Sequence, residues 1–67
     1  MLKNRLVVYR AEKGWTQQKL ADRVNVSRQT IANIERNKYT PSVTLAFKIA
    51  YAFNVKITDV FLYSEEE

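Results

Sequence analysis

The stretch Trp15-Thr16-Gln17-Gln18-Lys19-Leu20-Ala21-Asp22-Arg23-Val24-Asn25-Val26-Ser27-Arg28-Gln29-Thr30-Ile31-Ala32-Asn33-Ile34-Glu35-Arg36 reads as two short helices with almost nothing between them. Thr16 is a good N-cap, because its hydroxyl accepts an N–H that the first helical turn leaves free. Trp15 and Leu20 stand five positions apart, the spacing of a hydrophobic staple across a helix start. Leu20, Ala21 and Val24 form the inward side, and Asn25 tolerates the left-handed conformation that ends many helices. Only Val26 then precedes Ser27, a second N-cap, with Val26 and Ile31 again at staple spacing. The spacing predicts helices over about 17–24 and 28–36, joined by a turn of about three residues.

Similar punctuation divides the flanks. A first helix is expected from about Asn4, as N-cap, to Lys13, with Gly14 ending it and Leu6, Tyr9 and the stem of Lys13 on one face. After Asn37, another left-handed candidate, the loop Lys38-Tyr39-Thr40 leads to Pro41 in the first turn of a fourth helix capped by Thr40 or Ser42. Its inward stripe is Leu45, Ile49, Ala52 and Phe53, with Ala46 beside them. Beyond Asn54, a third left-handed candidate, Thr58 is expected to cap a last short helix over Asp59 to Leu62. The alternation in Val60-Phe61-Leu62-Tyr63 also permits a short strand paired with Met1 to Lys3. The expectation is an all-α domain of five helices spanning residues 1–67, with an optional two-stranded element from the termini.

Composition narrows the chemistry. The 67 residues include no cysteine and no histidine, so thiolate nucleophiles, imidazole bases, disulfides and His or Cys metal sites are excluded. Seven carboxylates without clustering do not suggest an enzyme, and no cofactor, metal or small-molecule ligand is expected. Residues 1–56 hold all 11 Lys and Arg against Glu12, Asp22 and Glu35, a balance of +8, whereas residues 57–67 hold four acids and no base. A body this basic favours a polyanion. No apolar run approaches the roughly 18 residues of a membrane span, and the N-terminus lacks an apolar core of signal-peptide length, so a cytoplasmic protein is expected.

The 28–36 helix carries the functional expectation. At about 100° per residue, Arg28, Ala32, Arg36, Gln29 and Asn33 share an arc of about 140°, opposite Ile31 and Ile34. Arg28, Gln29 and Asn33 are groups that read base edges, Arg by forking onto guanine and the amides by pairing with adenine. Ala32 keeps the helix low, where its methyl could meet a thymine methyl. A plain solvated face is the competing reading, although such faces mix both signs of charge and this arc has no acid. Gln17 and Gln18 occupy the first turn of the preceding helix, where free amides favour a DNA phosphate.

The run from Trp15 to Ala21, Val24 to Ile31, Ile34 to Tyr39, Pro41-Ser42 and Leu45-Ala46 resembles the Cro/C1-type (XRE) helix-turn-helix regulators over roughly residues 4–62. Within that family it is most similar to short stand-alone repressors of the cytolysin-regulator type. The resemblance implies a two-fold dimer on a palindromic operator, with the third helix in the major groove. It implies base reading by Arg28, Gln29 and Asn33, backbone contact by Gln17, which also props the first reading residue, and phosphate contact by Ser27, Thr30, Lys38 and Tyr39. It also implies a structural ion pair, Arg10 with Glu35. Three features depart from the family pattern: Asn25 replaces a common glycine, Arg36-Asn37 replaces Asn-Gly, and Val7 and Val8 replace charges. The valines are open to two readings, plain exposed surface or packing against the terminal strand or a partner.

A chain this short buries only about 60% of its unfolded surface, which makes dimerisation a natural supplement. The dimerisation region is expected at about 54–63, through Val55, Ile57, Val60 and Phe61; completion of the monomer core by the same four is equally open. The expected function is sequence-specific repression by occlusion of double-stranded DNA. The alternatives are an antitoxin-like or accessory regulator acting through a protein partner, and a pure protein-interaction module.

Overall fold

In the computed structural model, which describes residues 1–65, each helix boundary has an identifiable chemical cause. Helix α1 (Leu6–Lys13) ends at Gly14, whose φ of 70° is left-handed. Helix α2 (Gln17–Val24) begins where Thr16 Oγ1 accepts the Lys19 N–H at 3.0 Å and ends at Asn25, with φ 61°. Helix α3 (Arg28–Glu35) begins where Ser27 Oγ accepts the Thr30 N–H at 3.1 Å. Asn37, with φ 60°, turns the chain out of it. Helix α4 (Val43–Phe53) is capped by Ser42 and stopped by Asn54, and α5 (Ile57–Val60) is a single turn. Strands β1 (Leu2–Asn4) and β2 (Phe61–Tyr63) pair antiparallel, with Leu2 opposite Tyr63 and Asn4 opposite Phe61. The all-α expectation with a terminal two-stranded element describes this fold, although the strands lie one residue further along at the N-terminal side than Met1 to Lys3.

Four local expectations are corrected. Asn4 is the last residue of β1 rather than the N-cap of α1, which is Arg5. Its Oδ1 still accepts the Leu6 N–H at 3.2 Å, while its Nδ2 donates to the Ile34 carbonyl at 2.9 Å. Long-range bonding has thus recruited a residue that local chemistry would assign to a cap. Pro41 precedes the Ser42 cap instead of sitting in the first turn of α4. Thr58 lies inside α5, because Asp59 Oδ2 accepts the Lys56 N–H at 3.1 Å and starts the turn two residues earlier. Along α4, Ala50 is buried where Ala52 was expected, and Ala52 is only partly covered.

All five helices contribute to the core. Leu6, Leu20, Ile31, Ile34, Ile49, Phe53 and Val60 are essentially inaccessible. Tyr9 and Trp15 stack on Phe53 with ring centroids 5.4 and 5.6 Å away, and the Arg23 guanidinium covers Trp15 at 4.7 Å. These contacts tie α1, α2 and α4 to one another and hold the α2–α3 pair to the body. No helix among the described residues is long and apolar enough to cross a membrane.

The left-handed turn between α2 and α3 sets how the two helices meet. Asn25→Ala is expected to destabilise the fold by about 1 kcal/mol, since a Cβ without a compensating side chain disfavours that conformation. Asn25→Gly should be neutral or slightly stabilising, and urea unfolding midpoints distinguish the two. Equal midpoints for Ala and Gly would contradict the assignment.

Candidate nucleic-acid interface

Two faces of α3 separate cleanly. Ile31, Ala32 and Ile34 are buried, whereas Arg28, Gln29 and Arg36 are exposed and Asn33 is half-exposed. Ala32 is only 3% exposed, which corrects its expected place at the centre of the outward arc and removes any thymine contact by its methyl. The reason is geometric. Arg28 is exposed partly because it starts the helix, so an arc centred near it is rotated toward the core. The true outward arc runs through Arg36, Gln29, Asn33 and Thr30, with Arg28 at its N-terminal edge.

The side chains expected to read bases are bonded to one another or to α2. Gln29 Nε2 donates to Asn33 Oδ1 at 3.1 Å, one turn along. That bond does not use Gln29 Oε1, the second Gln29 N–H or the two N–H groups of Asn33, and an acceptor beside donors is the combination that matches an adenine edge. Arg28 Nη1 donates to Gln17 Oε1 at 3.2 Å, and Gln17 Nε2 donates to Glu35 Oε1 at 2.9 Å. Glu35 in turn accepts from Arg10 Nε at 2.6 Å and Nη2 at 3.1 Å. Arg10 also donates to the Trp15 carbonyl at 3.0 Å, at the approach to α2. The Arg10–Glu35 pair is therefore present, part-buried and bidentate.

In the sequence Gln17 and this ion pair read as separate features. The structure joins them into one chain from Arg10 through Glu35 and Gln17 to Arg28. The signal was available, because Arg28 and Glu35 are seven residues apart and lie on one side of α3.

The backbone-contact candidates fall into two groups. Lys38 and Tyr39 are exposed in the loop after α3. The remaining side chains have internal partners: Gln18 Nε2 donates to Asp22 Oδ1 at 2.8 Å, and the hydroxyls of Ser27 and Thr30 lie 2.9 Å apart. What the first turn of α2 presents is its backbone amides, since Thr16 satisfies only that of Lys19. Asn4 and Asn37 were not foreseen at this end of the molecule. Asn4 Nδ2 lies 3.3 Å from Asn37 Oδ1 and anchors the C-terminal end of α3 to β1.

The expected dimerisation residues do not form one surface. Val60 is 0% exposed and offers no contact area, so it belongs to the core and not to an interface. Phe61 is half-buried and lines a cleft with Met1, Leu2, Ile34 and Tyr39. Val55 and Ile57 line a different depression, shared with the outer face of α4.

Comparison with known proteins places this geometry. The helix-turn-helix family matches residues 8–60. An uncharacterised HTH-type transcriptional regulator of Methanocaldococcus jannaschii is 54% identical over 66 residues, covering 98% of this chain and all of that one. The N-terminal DNA-binding domain of SinR from Bacillus subtilis superposes with a TM-score of 0.76 at 31% identity, covering 94% of this chain and 91% of that one. A second structure, of SinR as the master regulator for biofilm formation in complex with DNA, superposes with a TM-score of 0.73 at 31% identity and covers 79% and 86% of the two chains.

Proposed function

Because the chain belongs to the Cro/C1-type helix-turn-helix family of DNA-binding transcriptional regulators, we propose that it is a cytoplasmic repressor that binds a palindromic operator as a homodimer. The observation that carries this reading is the preset outer face of α3: Arg28 held by Gln17, Gln29 held to Asn33, and no acid on the arc. SinR, to which the chain is similar, is known in complex with DNA. By analogy α3 enters the major groove, and the first turn of α2 meets the phosphate backbone.

Arg28, Gln29 and Asn33 read base edges in this scheme. Backbone contact comes from Gln17, Gln18, Ser27, Thr30, Lys38 and Tyr39, of which Lys38 supplies charge and the α2 amides supply oriented dipoles. Because Gln18, Ser27 and Thr30 already bond internally, their part is to hold the amides in place, and any phosphate contact is shared. Two copies of α3 reach successive major grooves about 34 Å apart, and the bound dimer blocks a promoter sterically.

Selection from random-sequence DNA at moderate salt tests the reading. The expected product is a two-fold symmetric motif with half-sites about one helical turn apart. Recovery of no enriched motif would refute it. Lys38→Ala should weaken binding about equally on operator and scrambled DNA and lower the salt slope of log Kd by about one. A change confined to the operator would instead make Lys38 a base-reading residue.

A further inference from the structure

Asn4 crosses from the terminal strand β1 to the turn after α3. Its Nδ2 donates to the Ile34 carbonyl at 2.9 Å and to Asn37 Oδ1 at 3.3 Å, while its Oδ1 accepts the Leu6 N–H at 3.2 Å. Both N–H groups of the amide are thereby directed at the end of α3, and its oxygen at the start of α1. The turn it reaches is the left-handed one at Asn37, φ 60°, from which the chain runs into Lys38 and Tyr39. The Lys38 N–H is tied back to the Asn33 carbonyl at 2.8 Å, whereas Tyr39 and Thr40 make no hydrogen bond among the described residues. A cleft of about 170 Å³ lies here, lined on the strand side by Leu2 and Asn4 and on the loop side by Tyr39, Thr40 and Pro41.

We infer that Asn4 is a positioning residue for DNA binding, fixing the end of α3 and with it the loop from which Lys38 grips the phosphate backbone, an inference that rests on the reading of the chain as a DNA-binding regulator. The demands on this position single out asparagine. Starting α1 needs only an acceptor for the Leu6 N–H, which serine or aspartate also supplies. The two donors aimed at α3 are a further requirement that α1 does not explain. Aspartate would set a carboxylate against two oxygens, those of Ile34 and Asn37, and serine is too short to bridge to both. Asparagine is also a poor strand former, yet Asn4 is the last residue of β1.

A purely structural tie would change stability alone, whereas a positioning role couples Asn4 to Lys38, to which it makes no hydrogen bond. Without the tie, the loop must be ordered when DNA binds, and that cost falls on affinity for any sequence. The salt slope should fall with it, because the Lys38 charge is less well placed. Base preference should survive, since Arg28, Gln29 and Asn33 keep their own bonds to Gln17 and to one another.

Titration of the wild-type chain, Asn4→Ser, Lys38→Ala and the double variant on operator and scrambled duplexes over a salt series tests this, with circular dichroism confirming that each is folded. Asn4→Ser should weaken binding to both duplexes by about three- to tenfold and lower the salt slope toward that of Lys38→Ala. In the Lys38→Ala background the same substitution should cost less than about twofold, the mark of two residues acting through one contact. Equal losses in the two backgrounds, an unchanged slope or a loss confined to the operator overturns the positioning role and leaves the regulator reading intact. If Asn4→Ser does not fold, Asn37→Gly carries the test, because it keeps the left-handed turn and removes an oxygen to which Asn4 donates. A loss that disappears in the Lys38→Ala background then supports the role, and unchanged binding overturns it. A wild-type chain that binds neither duplex overturns the regulator reading itself.

Discussion

Glu35→Ala is expected to lower the stability of the fold by about 3 kcal/mol, the low end of the range for removing one partner of a buried ion pair. The low end applies because Glu35 is 6% exposed but Arg10 is 17% exposed, so water reaches the guanidinium that is left behind. For a domain of this size that loss corresponds to a fall in Tm of about 20 °C. The effect has three parts. Two bonds from Arg10 disappear, the Gln17 amide loses its acceptor, and a cation remains in a place built for a neutral pair. Replacing both partners with apolar residues, Arg10→Met with Glu35→Leu, should recover most of the loss, since no unpaired charge then remains. Thermal unfolding of the wild type and these two variants decides the matter. A loss below about 1 kcal/mol for Glu35→Ala is the value of an exposed pair and would show that solvent screens this one.

The same pair shows what was legible in the chain and what was not. Caps and stops are local chemistry, so Thr16, Ser27 and Ser42 and the left-handed Asn25, Asn37 and Asn54 could be named from sequence, Ser42 as one of two candidates. Asn4 could not be placed correctly, because its amide is engaged by Ile34 and Asn37, 30 and 33 residues away. The Arg10–Glu35 pair came from family resemblance, and its link to Gln17 required the packing of α2 on α3. Ala32 was misplaced by centring the outward arc near a helix-terminal residue, where exposure comes from position as much as from face. On α4 the inward stripe masks the opposite one. Val43, Phe47 and Tyr51 repeat every four residues in plain view, but an apolar residue on a helix is ordinarily assigned to the core before a second face is considered.

Arg28→Ala is expected to weaken operator binding by about 1 to 3 kcal/mol, a factor of roughly 5 to 150 in Kd. The loss should appear as relaxed preference at one base pair of each half-site. A guanidinium forked onto guanine adds discrimination only if it arrives in the right plane. Here Gln17 Oε1 holds one end of it in the free protein, so less side-chain entropy is lost on docking. Two further variants separate charge from geometry. Arg28→Lys keeps the charge and loses the fork, so it should retain most of the affinity for scrambled DNA while losing discrimination. Gln17→Ala leaves Arg28 intact but unheld, and should reduce operator affinity by a smaller amount, about 0.5 to 1.5 kcal/mol, with the same base still preferred. Titrations of each variant on operator and scrambled duplexes at one salt concentration provide the comparison. If Arg28→Ala lost equal affinity on both duplexes, Arg28 would be a phosphate contact, and base reading would rest on the Gln29–Asn33 pair alone.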